Sequence, residues 1–199
     1  MSARKIAVIV GILFFIQMIT AMIGHSLISA FADGDTNKTS MTIGVLLMMC
    51  SGIAVVGIGL LMYQILKTVN RKLAIWYPIL RVMEFMVSTI CGIYLLITLQ
   101  QVPNDMLLIY IPTGIGGLIF TYLLFVSKFV PRPIAVLGLV GYAMLLLGAA
   151  LGFMGIVDMN SDAGMILLAP GGLFEFVFLP LWLIIKGFRL PPRRIKVAA

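Results

Sequence analysis

Lys67-Thr68-Val69-Asn70-Arg71-Lys72-Leu73-Ala74 is a short basic segment between two apolar stretches, 41–66 and 75–99. Each stretch exceeds the ~20 apolar residues that a helix needs to cross a bilayer. A turn this short between two spans makes the chain double back, so the segment defines a membrane hairpin. Reading outward, four more stretches have the same length and character: 6–31, 106–127, 134–157 and 164–187. The connectors around 32–40, 100–105, 128–133 and 158–163 are rich in Gly, Pro, Asn, Asp and Ser, the residues of turns. The pattern predicts an all-α membrane protein, a single bundle of six transmembrane helices (helices 1 to 6 in chain order) followed by a basic tail over 188–199.

Composition agrees. The 199 residues are 62% hydrophobic and 11% charged, whereas a soluble domain carries about 25% charged residues. Small domains bury too little of their surface to hide this much apolar area in water. The first stretch ends in Ala30-Phe31-Ala32, like a signal-peptide cleavage site. It is longer than a signal peptide's apolar region of roughly 7–15 residues and reads as helix 1.

The charges are sorted. Arg4, Lys5, Lys67, Arg71, Lys72, Lys128, Arg132, Lys186, Arg189, Arg193, Arg194 and Lys196 fall in the tails and loops of one face. Asp33, Asp35, Asp105, Asp158 and Asp162 fall on the other, with Lys38. Basic residues concentrate in cytoplasmic loops, so both termini are expected in the cytoplasm. The net charge of +7 thereby marks topology rather than a nucleic-acid surface.

Three charges escape the sorting: Arg81, Glu84 and Glu175 lie inside spanning stretches. Charges at membrane depth are costly and point inward or toward water-filled cavities. In helix 3, Tyr77, Arg81, Glu84, Ser88, Cys91 and Thr98 follow helical spacing and share one face. By helical rise, Glu84, Glu175 and Gln17 lie about 14, 18 and 17 Å from the basic face, and Arg81 about 9 Å. Arg81, Glu84, Glu175 and Gln17 can therefore meet near mid-membrane. One arginine does not neutralise two ionised carboxylates. Either one glutamate is protonated, since burial and a like charge both favour the neutral acid, or a cation completes the site. The bland alternative is an ionic tie that only specifies helix pairing.

Two further features have structural and functional readings. Pro112 in helix 4 and Pro170 in helix 6, each with a glycine close behind (Gly114 and Gly171), interrupt helical hydrogen bonding. They predict kinks, and interrupted helices also line transporter sites. In helix 5, Gly141, Gly148, Gly152 and Gly155 form a small-residue face suited to close helix packing. That face serves either the bundle itself or a second copy or membrane partner.

No phosphate-binding loop, nucleophile elbow or zinc-protease motif is present. The lone His25 and the separated Cys50 and Cys91 have no metal-ligand spacing. No catalytic residue, cofactor or metal is predicted.

Leu80-Arg81-Val82-Met83-Glu84, Phe129-Val130-Pro131-Arg132 with Val136-Leu137-Gly138-Leu139-Val140-Gly141, and Leu173-Phe174-Glu175 with Trp182-Leu183-Ile184-Ile185-Lys186-Gly187-Phe188 resemble a bacterial six-helix membrane family catalogued as domain of unknown function 4386. The resemblance implies a multi-pass protein of the bacterial plasma membrane. It implies that the Arg-x-x-Glu of helix 3 and the Glu of helix 6 matter to fold or activity, and it carries no assigned activity. Three functions fit the residues. The first is binding or transport of a small ligand, proton or cation at the mid-membrane cluster, with Arg81 holding an anionic group. The second is a structural or accessory subunit, and the third a membrane-embedded lipid-acting enzyme.

Overall fold

A computed structural model describes residues 1–34, 37–159 and 161–189. Asp35, Arg193, Arg194 and Lys196, and the part of the predicted tail beyond 189, lie outside the described residues. All regular structure among the described residues is helical, and six helices are long and apolar enough to cross a membrane. They are α1 (Ala3–Ala32), α2 (Lys38–Leu66), α3 (Arg71–Thr98), α4 (Asp105–Ser127), α5 (Arg132–Phe153) and α6 (Asp162–Ile185).

Polar caps set several starts. Ser2, Asn37, Asn70 and Ser161 each accept hydrogen bonds from backbone amides in the first turn of α1, α2, α3 and α6, amides that have no partner inside the helix. Three short-range features mark the other ends. Leu99, Asn104 and Lys128 take positive φ near 58°, which closes the turns around α4 tightly. The helix α5 stops at Phe153, short of the predicted 157, and Gly155 stands in the turn beyond with φ 69°. Gly155 is thus a turn residue, a correction to its place on the glycine face.

Sequence neighbours pack side by side, and α6 returns to α1. Arg4 fastens this closure by donating to the carbonyls of Leu183, Ile184 and Ile185 at 3.3, 2.7 and 3.2 Å. A cation there meets the negative end of α6. The main core fills the half of the bundle nearer the basic loops, with Phe14, Ile58, Met62, Leu66, Phe120, Leu123, Leu124, Phe174 and Leu179 all buried. The outward faces carry exposed Ile19, Ile53, Leu60, Ile90, Ile97, Leu147 and Ile166, the surface expected against lipid tails.

Two helices are irregular, each for a proline. The helix α3 breaks at Ile75 between Arg71–Ala74 and Trp76–Thr98. Pro78 has no amide for the Ala74 carbonyl, and its ring crowds that oxygen. In α6, the α-helix Asp162–Gly172 widens into a π-helical segment, Leu173–Phe178, before resuming over Leu179–Ile185. Leu179 there donates to Phe174, five residues back. Pro180 follows at once, and the wider turn keeps its ring off the Phe176 carbonyl. By contrast, α4 passes through Pro112 without changing helix type.

The glycines of α5 face into the protein. A β-carbon on Gly141 would strike the Gly171 backbone of α6, and one on Gly148 or Gly152 would meet Met159 with Leu167 or Leu107. The face thus seals α5 against α6 and α4. It does not present the docking surface for a second copy or partner that its spacing also allowed. The α5–α6 crossing brings backbone against backbone at Gly141 and Gly171.

Gly141→Val is expected to lower stability by about 1–3 kcal/mol, the usual range for overpacking, because a backbone cannot step aside like a flexible side chain. Gly172→Ala, whose added carbon meets only Phe176 at 3.8 Å, should be tolerated. Thermal unfolding of the purified protein in detergent compares the two.

Candidate functional site

The residues predicted to meet do meet. Arg81 Nη1 donates to Glu84 Oε2 at 2.8 Å, and Nη2 donates to Glu175 Oε1 at 3.2 Å. Gln17 Nε2 donates to the same Glu175 oxygen at 3.2 Å. The α3 pair is one helical turn apart, so its contact follows from local geometry. Glu175 is brought in by α6, within the π-helical segment between Pro170 and Pro180. Phe174, next to it, turns toward the core, where it packs edge-on against Phe120 at 6.3 Å and Tyr142 at 6.0 Å.

Further groups, absent from the predicted site, complete the cluster. Tyr142 of α5 accepts from Arg81 Nη2 at 3.4 Å. The Tyr77 ring lies 5.2 Å from the guanidinium carbon and stacks on Phe120 of α4 at 4.7 Å. Ser51 of α2 donates to the Gln17 carbonyl at 3.2 Å, and Thr113 of α4 lies along the same cavity as Glu84. All six helices contribute. Tyr77 was visible in the polar stripe of α3. Tyr142 stands singly in an apolar helix and Thr113 is one of several hydroxyls in α4, so only the hydroxyls hinted at a role.

The cluster has a closed side and an open side. Arg81 is sealed, its side chain 1% exposed, whereas those of Glu84 and Glu175 are 12% and 10% exposed. The two glutamates and Gln17 line a cavity of about 270 Å³ whose other walls are largely apolar: Ile109, Leu145, Leu168, Phe176 and the glycines 141, 171 and 172. Arg81 is not among the lining residues. Arg81, expected to hold an anionic group, turns both its Nη groups to protein carboxylates, and its Nε atom is buried without a hydrogen-bond partner. The Gln17 Oε1 atom is buried without a hydrogen-bond partner. Glu175 Oε2 makes no hydrogen bond among the described residues.

A second, larger cavity of about 790 Å³ opens on the aspartate-bearing face. Asp33, Asp105, Asp158, His25 and Gln101 line it. Met106 and Tyr110 line both cavities and form the partition between them. His25 lies 3.5 Å from the Ser29 hydroxyl. Among the described residues no group of three or more His, Cys, Asp or Glu could hold a metal ion. Cys50 and Cys91 are unpaired.

A family described as domain of unknown function (DUF4386) matches residues 9–105 and 92–187. The chain belongs to this family. The matched segments run from α1 to the end of α6 and contain every residue of the cluster. Among curated proteins and among solved structures, nothing matches. The family assignment carries no activity, so chemistry has to come from the cluster itself.

Arg81→Leu in this DUF4386 protein is expected to cost about 3–5 kcal/mol, the cost of stranding buried charge. Adding Glu84→Gln and Glu175→Gln to that variant should restore part of the loss. Tyr142→Phe removes one 3.4 Å contact and should cost about 1 kcal/mol or less. Unfolding by SDS titration ranks the three.

Proposed function

We propose that this DUF4386 protein binds and moves a small cationic species, a proton included, at the carboxylates of Glu84 and Glu175. The observation that carries the reading is the mismatch at the cavity. One sealed guanidinium serves two carboxylates that both border an open space. With both ionised, the cluster bears one uncompensated negative charge in a medium where charge is poorly solvated. A proton or a cation at the cavity removes that charge. An anion would add to it and would not reach Arg81, which does not line the cavity.

In this reading Arg81 is a positioning residue. It holds the two carboxylates beside one another, and the cavity presents their remaining oxygens. Gln17 orients Glu175 through its amide nitrogen. The sorted loop charges support a cytoplasmic location for the basic face and both termini. The cavity would then be approached from the outside of the cell through the aspartate-lined vestibule. The family resemblance supports a bacterial plasma membrane as the location.

Potentiometric titration of the purified chain tests this. Between pH 4 and 9 the wild type is expected to bind about one more proton per chain than the Glu84→Gln/Glu175→Gln variant, because Arg81 offsets the charge of one carboxylate and leaves the other to titrate. The variant should still elute as a folded species on size exclusion. Equal proton uptake by folded wild type and variant would sink the proposal.

A further inference from the structure

The cavity walls say more than the charge does. Resting on the reading above, we infer that the ligand of this site is a small organic cation with an apolar body, bound in exchange for a proton and admitted from the aspartate-lined face.

Three observations converge on that class. The first is the division of the cavity. Its polar groups are those of the ionic cluster, Gln17, Glu84, Thr113, Tyr142 and Glu175, with Tyr110 at the partition, while Ile109, Leu145, Leu168 and Phe176 offer only hydrocarbon and an aromatic ring. A hydrated inorganic ion gains nothing from such walls. A divalent ion would want six or more oxygen ligands, and the carboxylates here have already given oxygens to Arg81. An ammonium group carried on an apolar frame matches both parts, with the frame against the walls and the charge at the carboxylates. An aromatic ring beside such a head group adds cation–π attraction.

The second is the unpartnered acceptor. Gln17 is 8% exposed, and its Oε1 atom has no hydrogen-bond partner. An N–H donor or a polarised N–CH₃ group at the cavity supplies one. The third is size: about 270 Å³ is near the lower end of the range of small-molecule sites, roughly 300–1,000 Å³, so the ligand carries one ring or a short branched chain.

Exchange follows from charge count. The groups facing the two carboxylates are Arg81 and Tyr77 of α3, Gln17 of α1, Thr113 and Tyr110 of α4 and Tyr142 of α5. Of these only Arg81 is charged at neutral pH. Empty and deprotonated, the cluster has a net charge of one negative. Either a proton or the cation makes it neutral, and both together would leave it positive. The low-dielectric surroundings penalise both charged states. One species is therefore swapped for the other. The only bond change is a proton transfer: a carboxyl O–H gives its proton to water, which becomes hydronium, as the cation arrives.

The approach is built to match. The vestibule carries Asp33, Asp105 and Asp158, and acid-lined clefts concentrate cations. Met106 and Tyr110, shared by both spaces, stand where the ligand passes. Toward the basic face, the Tyr77–Phe120 stack and the buried core close the way.

The test uses the full chain in lipid nanodiscs and radiolabelled benzyltrimethylammonium, a quaternary ammonium on one ring. Saturable binding of one molecule per chain is expected. It should weaken by about tenfold per unit as pH falls through the range where the site takes up its proton, one proton displacing one cation. Glu175→Gln should reduce affinity at least tenfold. Leu145→Trp, which fills the apolar end, should abolish cation binding yet keep the proton uptake that depends on Glu84 and Glu175. Tetramethylammonium, with the charge but no ring, should compete weakly. Sodium at the same concentration should not compete. Absence of saturable binding while that proton uptake persists overturns this inference and leaves the proton-binding site standing. Unaltered binding in Glu175→Gln, or displacement by sodium, overturns it too. Loss of both cation binding and proton uptake takes the proposed function with it.

Discussion

A guanidinium stripped of water must find acceptors inside the protein, and in this bundle Arg81 finds them on two other charged groups. Its contacts at 2.8 Å to Glu84 and 3.2 Å to Glu175 fix the spacing of α3 and α6, which are not neighbours in sequence. Tyr142 and Tyr77 finish its surroundings, and Gln17 finishes those of Glu175. The arrangement is strict because hydrocarbon offers no alternative partner: a helix that shifted would leave a charge unpaired, at a cost of several kcal/mol. The short loops place each helix beside its sequence neighbours. The Arg81 cluster adds the contact across the middle.

The same interaction divides the bundle into unlike halves. On the basic side, aromatic stacking and aliphatic packing fill the interior among the described residues. On the aspartate side, Glu84 and Glu175 border a cavity, and a wider vestibule lies beyond the Met106–Tyr110 partition. One residue serves structure and site together. By drawing two carboxylates to one cation, Arg81 ties α3 to α6 and balances one of the two charges, leaving the other for the proposed chemistry.

Much of this was legible in the residues. Apolar length and sorted charge are one-dimensional signals, so six spans and two electrostatically distinct faces could be read directly. Helical rise placed Gln17, Glu84 and Glu175 at a common depth, and arithmetic along an axis needs no tertiary information. Three features were not readable. The widened turn at Leu173–Phe178 depends on Pro180 acting from beyond the glutamate, not on Pro170, where the interruption was expected. Tyr142 joins the cluster only because α5 crosses α6 at Gly141, a rotation that spacing alone does not fix. The sealing of Arg81 depends on both carboxylates reaching it at once. The glycine face was recognised, but which partner it meets is a question of neighbours.

The crossing of Gly141 against Gly171 has a consequence for selectivity. These two residues, with Gly172, make part of the cavity wall out of main chain. Side chains can swing aside for a bulky guest, whereas a peptide backbone locked into two helices cannot. The aperture at this wall is set by the distance between helix axes, as a vice is set by its jaws. A guest too large for it can be accommodated only if α5 and α6 part along their length, which would also drag the glutamate carried by α6 away from Arg81. Ligand size and ionic pairing are thus read by one mechanical element.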